Sequence, residues 1–320
     1  LEQSANNARA AVGKAGLSVV REDTDAAREQ LNAILQSTPK FAPALRMRAL
    51  LEAEAGNLEA AEADYTLALE DPAFTDQTRL TRALLRIRLE KFDLAAQDIN
   101  ALRNGGVKSS NLDFADALLQ YEQGHIQEAS AGFEKVLGQA PSHASALFYG
   151  AAAAAQLGNT RSAALQIRRY LSLNPGHVGA TRLLAQLELN LENGDPEEAR
   201  ELALAALEQA PENVATMNLL ADASLRLGDQ DTAIVYMKRA AEADSKSALL
   251  STRLGSQLVE HGEVEEGLRE LQRALELDPA SFAAAERMAN YYLRSGDVDK
   301  ALDLAREQVE RQPDSAPAYA

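Results

Sequence analysis

Apolar residues recur along this chain at i, i+4 and i+7, the spacing of one helical face. The stripes come in pairs separated by a short polar turn. In residues 144–175, Leu147, Gly150, Ala151 and Ala154 form one stripe of small apolar residues. Gly158-Asn159 makes a turn, and Ala163, Ile167 and Tyr170 form a second stripe before Pro175. Residues 282–313 repeat the order with Ala285, Met288, Ala289, Tyr292, Gly296, Ala301 and Pro313. The pattern predicts a hairpin of two helices, A and B, used many times over.

Two rulers set its period. Pro141, Pro175, Pro211, Pro279 and Pro313 stand 34, 36, 68 and 34 residues apart, with Ser245 where the intermediate Pro of the 68 would be. A Gly-polar-x-x-x-small motif runs from Gly56-Asn57 to Ala61 and recurs at Gly124, Gly158, Gly194, Gly228, Gly262 and Gly296. Such a Gly ends helix A in the left-handed conformation that costs other residues energy. The Asp or Asn after it is expected to cap helix B. Around Glu90-Lys91 the Gly is missing, although Ala83, Ala95, Ile99 and Leu102 keep the stripe, and Asn190-Leu191-Glu192-Asn193 carries a two-residue insertion. The register gives about nine hairpins: 8–39, 42–72, 76–107, 110–141, 144–175, 178–211, 214–245, 248–279 and 282–313. No linker long enough to divide them is evident, so residues 1–320 read as one array.

A 34-residue unit of two helices resembles the tetratricopeptide repeat. The small residue that opens each helix B, as at Ala61, Ala129, Ala163, Ala199, Ala233, Gly267 and Ala301, sits at that repeat's signature position. The resemblance implies an all-α, right-handed superhelical solenoid in which stacked hairpins share one core.

Composition agrees. The chain is 46% hydrophobic but only 5% aromatic, with no Trp. Ala and Leu dominate, which suits closely packed helices. A formal net charge of −16 disfavours nucleic acid as a partner, since phosphate binding needs a dense basic surface. The absence of Cys removes any disulfide, thiolate metal site or Cys nucleophile from this segment. No stretch is long enough to span a membrane. Because the chain begins at Leu1 and stops after Tyr319-Ala320, where another helix is due, it is expected to be a piece of a longer protein.

The texture of residues 132–185 is more particular. Gly132-Phe133-Glu134-Lys135-Val136-Leu137, Ala140-Pro141-Ser142-His143 and Ala153-Ala154-Ala155-Gln156-Leu157-Gly158-Asn159 are one part of it. Tyr170-Leu171-Ser172-Leu173-Asn174-Pro175 and Ala180-Thr181-Arg182-Leu183-Leu184-Ala185 are the other. Together they resemble the tetratricopeptide lipoproteins of bacterial exosortase (PEP-CTERM) systems. That likeness implies a periplasmic scaffold held at the outer membrane by a lipidated N-terminus outside this segment, with a cytoplasmic location as the alternative.

Chemistry for catalysis is not evident. His125, His143, His177 and His261 fall in turns and lack ligand partners at metal-binding spacing. The glycines follow the repeat and do not cluster into a phosphate loop. No paired Ser and His motif or singled-out carboxylate pair appears. The chain is therefore read as a non-enzyme with no cofactor.

Ligands of such arrays lie against the inner, helix A face. By register, the inward set of the later repeats is Arg182, Gln186, Asn218, Asp222, Arg226, Arg253, Arg287, Asn290 and Arg294. Arginine's planar fork suits carboxylates and phosphates. Arg226 with Asp222, and Arg294 with Asn290 or Glu286, also fit local pairs on one helix face, and both readings stand. The earlier repeats turn Phe114, Tyr121, Phe148 and Tyr149 inward with few charges. Those rings suit either stacking on a sugar or partner helix or packing between repeats. The expected partner is a protein or peptide, with an anionic polysaccharide as an alternative. Two functions remain open: a scaffold for envelope or exopolysaccharide machinery, or a targeting array, either of a larger enzyme such as a glycosyltransferase or as a cytosolic adaptor.

Overall fold

The computed structural model describes residues 2–311, with side chains from Asn7 onward. It contains eighteen α-helices and, among the described residues, no strand. The chain divides into two compact units, Leu1–Asn159 and Thr160–Ala320. In the first, α1 (Glu2–Val20), α3 (Ala42–Glu54), α5 (Thr75–Arg88), α7 (Ser110–Glu122) and α9 (Ala144–Gln156) are A helices. Their B partners are α2 (Thr24–Ser37), α4 (Leu58–Ala68), α6 (Phe92–Asn104) and α8 (Ile126–Gln139). The second unit opens with the B helix α10 (Thr160–Leu173). The A helices α11 (Val178–Asn190), α13 (Val214–Arg226), α15 (Ala248–His261) and α17 (Phe282–Ser295) then alternate with α12 (Pro196–Gln209), α14 (Gln230–Ala243), α16 (Val264–Leu277) and α18 (Val298–Arg311). The first helix begins before residue 8, so its hairpin is longer than the period predicts. Pro313 and the expected helix start near Tyr319 lie outside the described residues.

One backbone device ends almost every A helix. In the first unit the amide of Asn57 reaches back to the Glu52 carbonyl at 2.8 Å, and that of His125 to Gln120 at 2.9 Å. In the second, Asp229 bonds Ser224 at 2.9 Å and Asp297 bonds Tyr292 at 2.8 Å. This is the six-to-one closure of a Schellman turn, and it needs a left-handed residue just before the donor. Gly56, Gly124, Gly228, Gly262 and Gly296 supply it, with φ between 78° and 100°. Where the Gly is missing the turn survives. Glu90 takes φ 56°, Glu22 takes φ 61°, and the same bonds form from Lys91 to Arg86 and from Asp23 to Ser18.

Gly194 departs from the expected rule, because its φ is not positive. After α11 the chain leaves the helix at Leu191, whose backbone is extended, and turns through Glu192-Asn193. A Cβ at Gly194 would sit 1.8 Å from the Glu188 carbonyl oxygen, so this Gly serves close approach and not handedness. Turn-residue capping is also narrower than expected. Asp195 and Asp229 cap their B helices, whereas the Asn57 amide instead donates to Glu52.

The small residues that open the B helices are buried. The tightest approach is between α15 and α16. A Cβ on Gly255 would lie 2.7 Å from the Gly267 carbonyl oxygen, and a Cβ on Gly267 would lie 2.7 Å from that of Gly255. Larger side chains fill the space between hairpins: Ile99, Leu102, Phe133 and Val136 in the first unit, Met217, Leu220 and Leu258 in the second. Each fully buried side chain of this size contributes about 1.5–3 kcal/mol. Within the first unit the A helices α5 and α7 touch, as do α7 and α9, while no two B helices pack so closely. The A helices therefore form the tighter, inner layer of that unit.

Candidate binding faces

In the second unit the predicted polar residues divide into a braced set and an unpartnered set. Arg253 on α15 reaches across to α13, hydrogen-bonding and ion-pairing with Asp222 and donating to Asn218 Oδ1 at 3.4 Å. Arg182 on α11 donates to Asn213 Oδ1 at 3.4 Å, at the start of α13. Gln186 donates to Asn190 on its own helix, also at 3.4 Å. The Arg253 and Arg182 contacts knit neighbouring hairpins together. Arg226, Arg287, Asn290 and Arg294 are exposed and make no hydrogen bond or ion pair among the described residues. The local pairs allowed by the sequence do not form. Asp222 takes Arg253 from the next hairpin in place of Arg226, and Arg294 joins neither Asn290 nor Glu286. Arg226 and Arg294 close the last turns of α13 and α17, where the helix dipole favours a cation. No charged group among the described residues pairs with them.

A second polar knot ties α10, α11 and α12. Arg168 donates to buried Glu188 at 2.9 Å and grips Glu198 with both terminal nitrogens. The Glu198 hydrogen bond leads in holding the Arg168 guanidinium protonated even more firmly than usual, with Glu188 adding to it.

In the first unit the predicted aromatic residues collect between hairpins. Phe114 is buried and packs against Phe133 at 5.9 Å and Tyr149 at 6.1 Å between ring centroids. It belongs to the core and does not line a groove. Tyr149 also stacks on Phe133 at 6.2 Å, meets Tyr121 edge-on at 5.8 Å and takes Phe148 edge-on at 5.6 Å. Tyr121, Phe148 and Tyr149 are half-buried, so each shows part of its ring at the A-helix face. The Tyr121 hydroxyl accepts a hydrogen bond from Gln156 at 2.8 Å. Burial first, then Glu122, pushes the Tyr149 hydroxyl up from its ordinary range, and Arg88 pulls it back.

Charges also lie between the hairpins of these early repeats, away from the positions the register turns inward. Arg48 forms two parallel bonds of 2.7 Å with Asp64 and a third of 2.8 Å with Asn32. One repeat later Arg82 forms the same pair with Asp98 and reaches Thr66 at 3.1 Å. Each arginine thus joins its own B helix to the previous one. A parallel pair links each B helix to the next A helix, with its charges exchanged: Arg28 to Glu52, then Glu62 to Arg86, at 2.9 and 2.8 Å. Lys91 also bonds Glu62, and Arg86 adds a bond to Asp98. These charges are consumed inside the stack. A comparison of charged positions at the 34-residue period would have found them.

The histidines have structural work. The ring nitrogens of His143 and His177 accept from the amides of Ala146 and Ala180 at 3.2 and 3.0 Å, capping α9 and α11. His125 contacts Gln120 in its turn, and His261 contacts Gln230 and Asp231. No helix among the described residues is long and apolar enough to cross a membrane.

A family model described as tetratricopeptide repeat matches residues 19–76, 114–178, 184–248 and 252–316. Solved structures share the architecture. MamA from Desulfovibrio magneticus RS-1, residue 41 to its end, is 19% identical; the match covers 54% of this chain and 96% of that one, with a TM-score of 0.50. The C-terminal part of a TPR repeat-containing protein from Cytophaga hutchinsonii is 13% identical over 75% of this chain and 98% of that one, at 0.60. The Cut9–Hcn1 hetero-tetramer of the APC/C is 17% identical over 93% of this chain and 58% of that one, at 0.52. At these identities the likeness is one of fold. Among curated proteins, none matches the sequence.

Proposed function

Because this chain belongs to the tetratricopeptide repeat family, we propose that it is a non-catalytic scaffold that binds protein or peptide partners along the A-helix faces of its hairpins. The observation that carries this reading is the division of labour among inward polar groups. Arg253, Asp222 and Asn218 brace the hairpins, while Arg226, Arg287, Asn290 and Arg294 stand exposed with no partner among the described residues. Exposed guanidiniums such as Arg287 and Arg294, on one helix with Asn290, suit a partner bearing carboxylates, such as an acidic peptide. An anionic polysaccharide presents the same groups and is the competing ligand. Arg226→Ala combined with Arg294→Ala is expected to weaken binding of an acidic peptide several-fold while leaving the unfolding midpoint in place. Unchanged affinity would remove this face from the binding site.

The finer reading places the scaffold in the envelope, serving exopolysaccharide export or protein sorting of the exosortase type. It rests on the sequence texture of residues 132–185. It is tested by fractionating the full-length protein from its host with palmitate labelling. A labelled band in the outer-membrane fraction supports the lipoprotein. An unlabelled cytosolic band makes the protein a cytosolic adaptor, and a catalytic domain on the same polypeptide makes the array a targeting module.

A further inference from the structure

Three charges on the first unit are set apart from all the pairs described above. Glu54, Arg88 and Glu122 are the last residues of α3, α5 and α7, each 34 residues after the one before. All three are exposed, and none makes a hydrogen bond or ion pair among the described residues. Two of them stand in an electrostatically poor place. An anion at a helix C-terminus meets the negative end of the dipole, so Glu54 and Glu122 do nothing favourable for their own helices. Neighbouring charges on α3 and α5, namely Arg48, Glu52, Arg82 and Arg86, are all taken up inside the stack.

Beside this row runs an apolar one. Leu50 is 48% exposed although it lies four residues before Glu54 on the same helix. Leu84, half-buried, holds the same place before Arg88. In the next repeat Leu118 sinks into the core, and the half-buried ring of Tyr121 continues the surface toward Phe148.

We propose that the A-helix face of the first unit docks an amphipathic helix from a partner protein, whose apolar residues recur every seven positions and whose flanking charges run cation, anion, cation. The inference rests on the scaffold reading and deepens it. The spacing selects a helix. α5 and α7 touch, and helices packed in this way lie about 8–10 Å apart. Seven residues of α-helix rise about 10.5 Å and return to nearly the same face. An extended strand covers that distance in about three residues, which puts successive contacts on opposite faces. The charge order follows from complementarity with Glu54, Arg88 and Glu122, and it reads the same in either direction along the groove. Rim charges of this kind choose between partners more than they add affinity.

The test uses two synthetic amphipathic helices of about 21 residues, three heptads, with identical apolar seams. One carries Lys, Glu and Lys at the flanking heptad positions, the other Glu, Lys and Glu. Fluorescence anisotropy measures the binding of each to the full chain at low salt, where such steering is least screened. The Lys-Glu-Lys helix is expected to bind about tenfold more tightly, the scale of three weak rim pairs together. In a variant with Glu54→Lys, Arg88→Glu and Glu122→Lys the preference inverts; Arg88→Glu alone, which narrows it, serves if the triple variant does not fold. Equal binding of the two helices, binding of neither, or a preference that survives the reversal overturns the proposal. An acidic peptide titrated against the same samples reports on the second unit separately, so loss of this inference is distinguishable from loss of the scaffold.

Discussion

Arg82 and Asp98 hold each other through two parallel hydrogen bonds of 2.9 and 2.6 Å, between an A helix and its own B helix. Asp98 is 3% exposed and also accepts from Arg86 at 2.8 Å. Removing one partner of a buried ion pair typically costs about 3–5 kcal/mol, because the remaining charge keeps its desolvation without its counterion. Asp98→Ala is expected to fall in that range in chemical denaturation. Asp64→Ala, which orphans only Arg48, should cost less.

The contact between Gly255 and Gly267 predicts opposite outcomes for one type of substitution. Gly255→Ala places a methyl group 2.7 Å from a backbone oxygen and 2.9 Å from the Leu271 amide nitrogen. Overpacking of this sort costs about 1–3 kcal/mol, more than the gain in helix propensity. Gly138, exposed near the end of α8, has nothing within 4 Å of the added atom. Gly138→Ala should raise stability by about 0.5–1 kcal/mol. Thermal unfolding of both variants checks the pair of signs.

At Glu90 a side chain sits where the repeat elsewhere uses Gly, with φ 56°. The left-handed conformation costs a non-Gly residue about 1–2 kcal/mol, partly offset by the extra freedom Gly has when unfolded. Glu90→Gly should therefore stabilise the chain by about 0.5–1 kcal/mol. A lowered unfolding midpoint would show that the Glu90 side chain makes a favourable contact of its own.

Acid should loosen the first unit partly through Glu62. Burial alone would push its carboxyl up, but the hydrogen bonds from Lys91 and Arg86 outweigh that and bring it below the ordinary range. A carboxyl depressed on folding contributes stability above its unfolded pKa of about 4.3 and loses it as pH falls through the folded value. The stability difference between wild type and Glu62→Gln is thus full near neutrality. It should shrink steadily below about pH 4, which denaturation midpoints across that window would measure.

The hairpins were legible because periodicity is local. A stripe at i, i+4 and i+7 and a Gly every 34 residues need no knowledge of neighbours. The ion-pair ladder repeats at the same period, but its pairs are not legible within a single helix. Arg48 and Asp64 are 16 residues apart on different helices, and along either helix each resembles a solvated surface charge. His143 and His177 resembled idle turn residues because their caps depend on ring orientation. Gly194 matched the turn motif, yet the two inserted residues moved it to a position where lack of bulk matters and handedness does not. The Arg residues named from the register lie on the A helices α11, α13, α15 and α17. Which were already spoken for depended on contacts 31 residues away, as between Arg253 and Asp222.

The exchange of charge between Arg28–Glu52 and Glu62–Arg86 bears on how such an array grows and shrinks. Repeat genes gain and lose whole units, and most stripes would tolerate the change. Here the signs reverse from one pair to the next. Deleting the hairpin of α3 and α4 would bring Arg28 against Arg86, two guanidiniums at a half-buried contact. Duplicating it would bring Glu62 against a second Glu52. These two contacts therefore mark the place of the hairpin between them, which resists being cut or copied on its own.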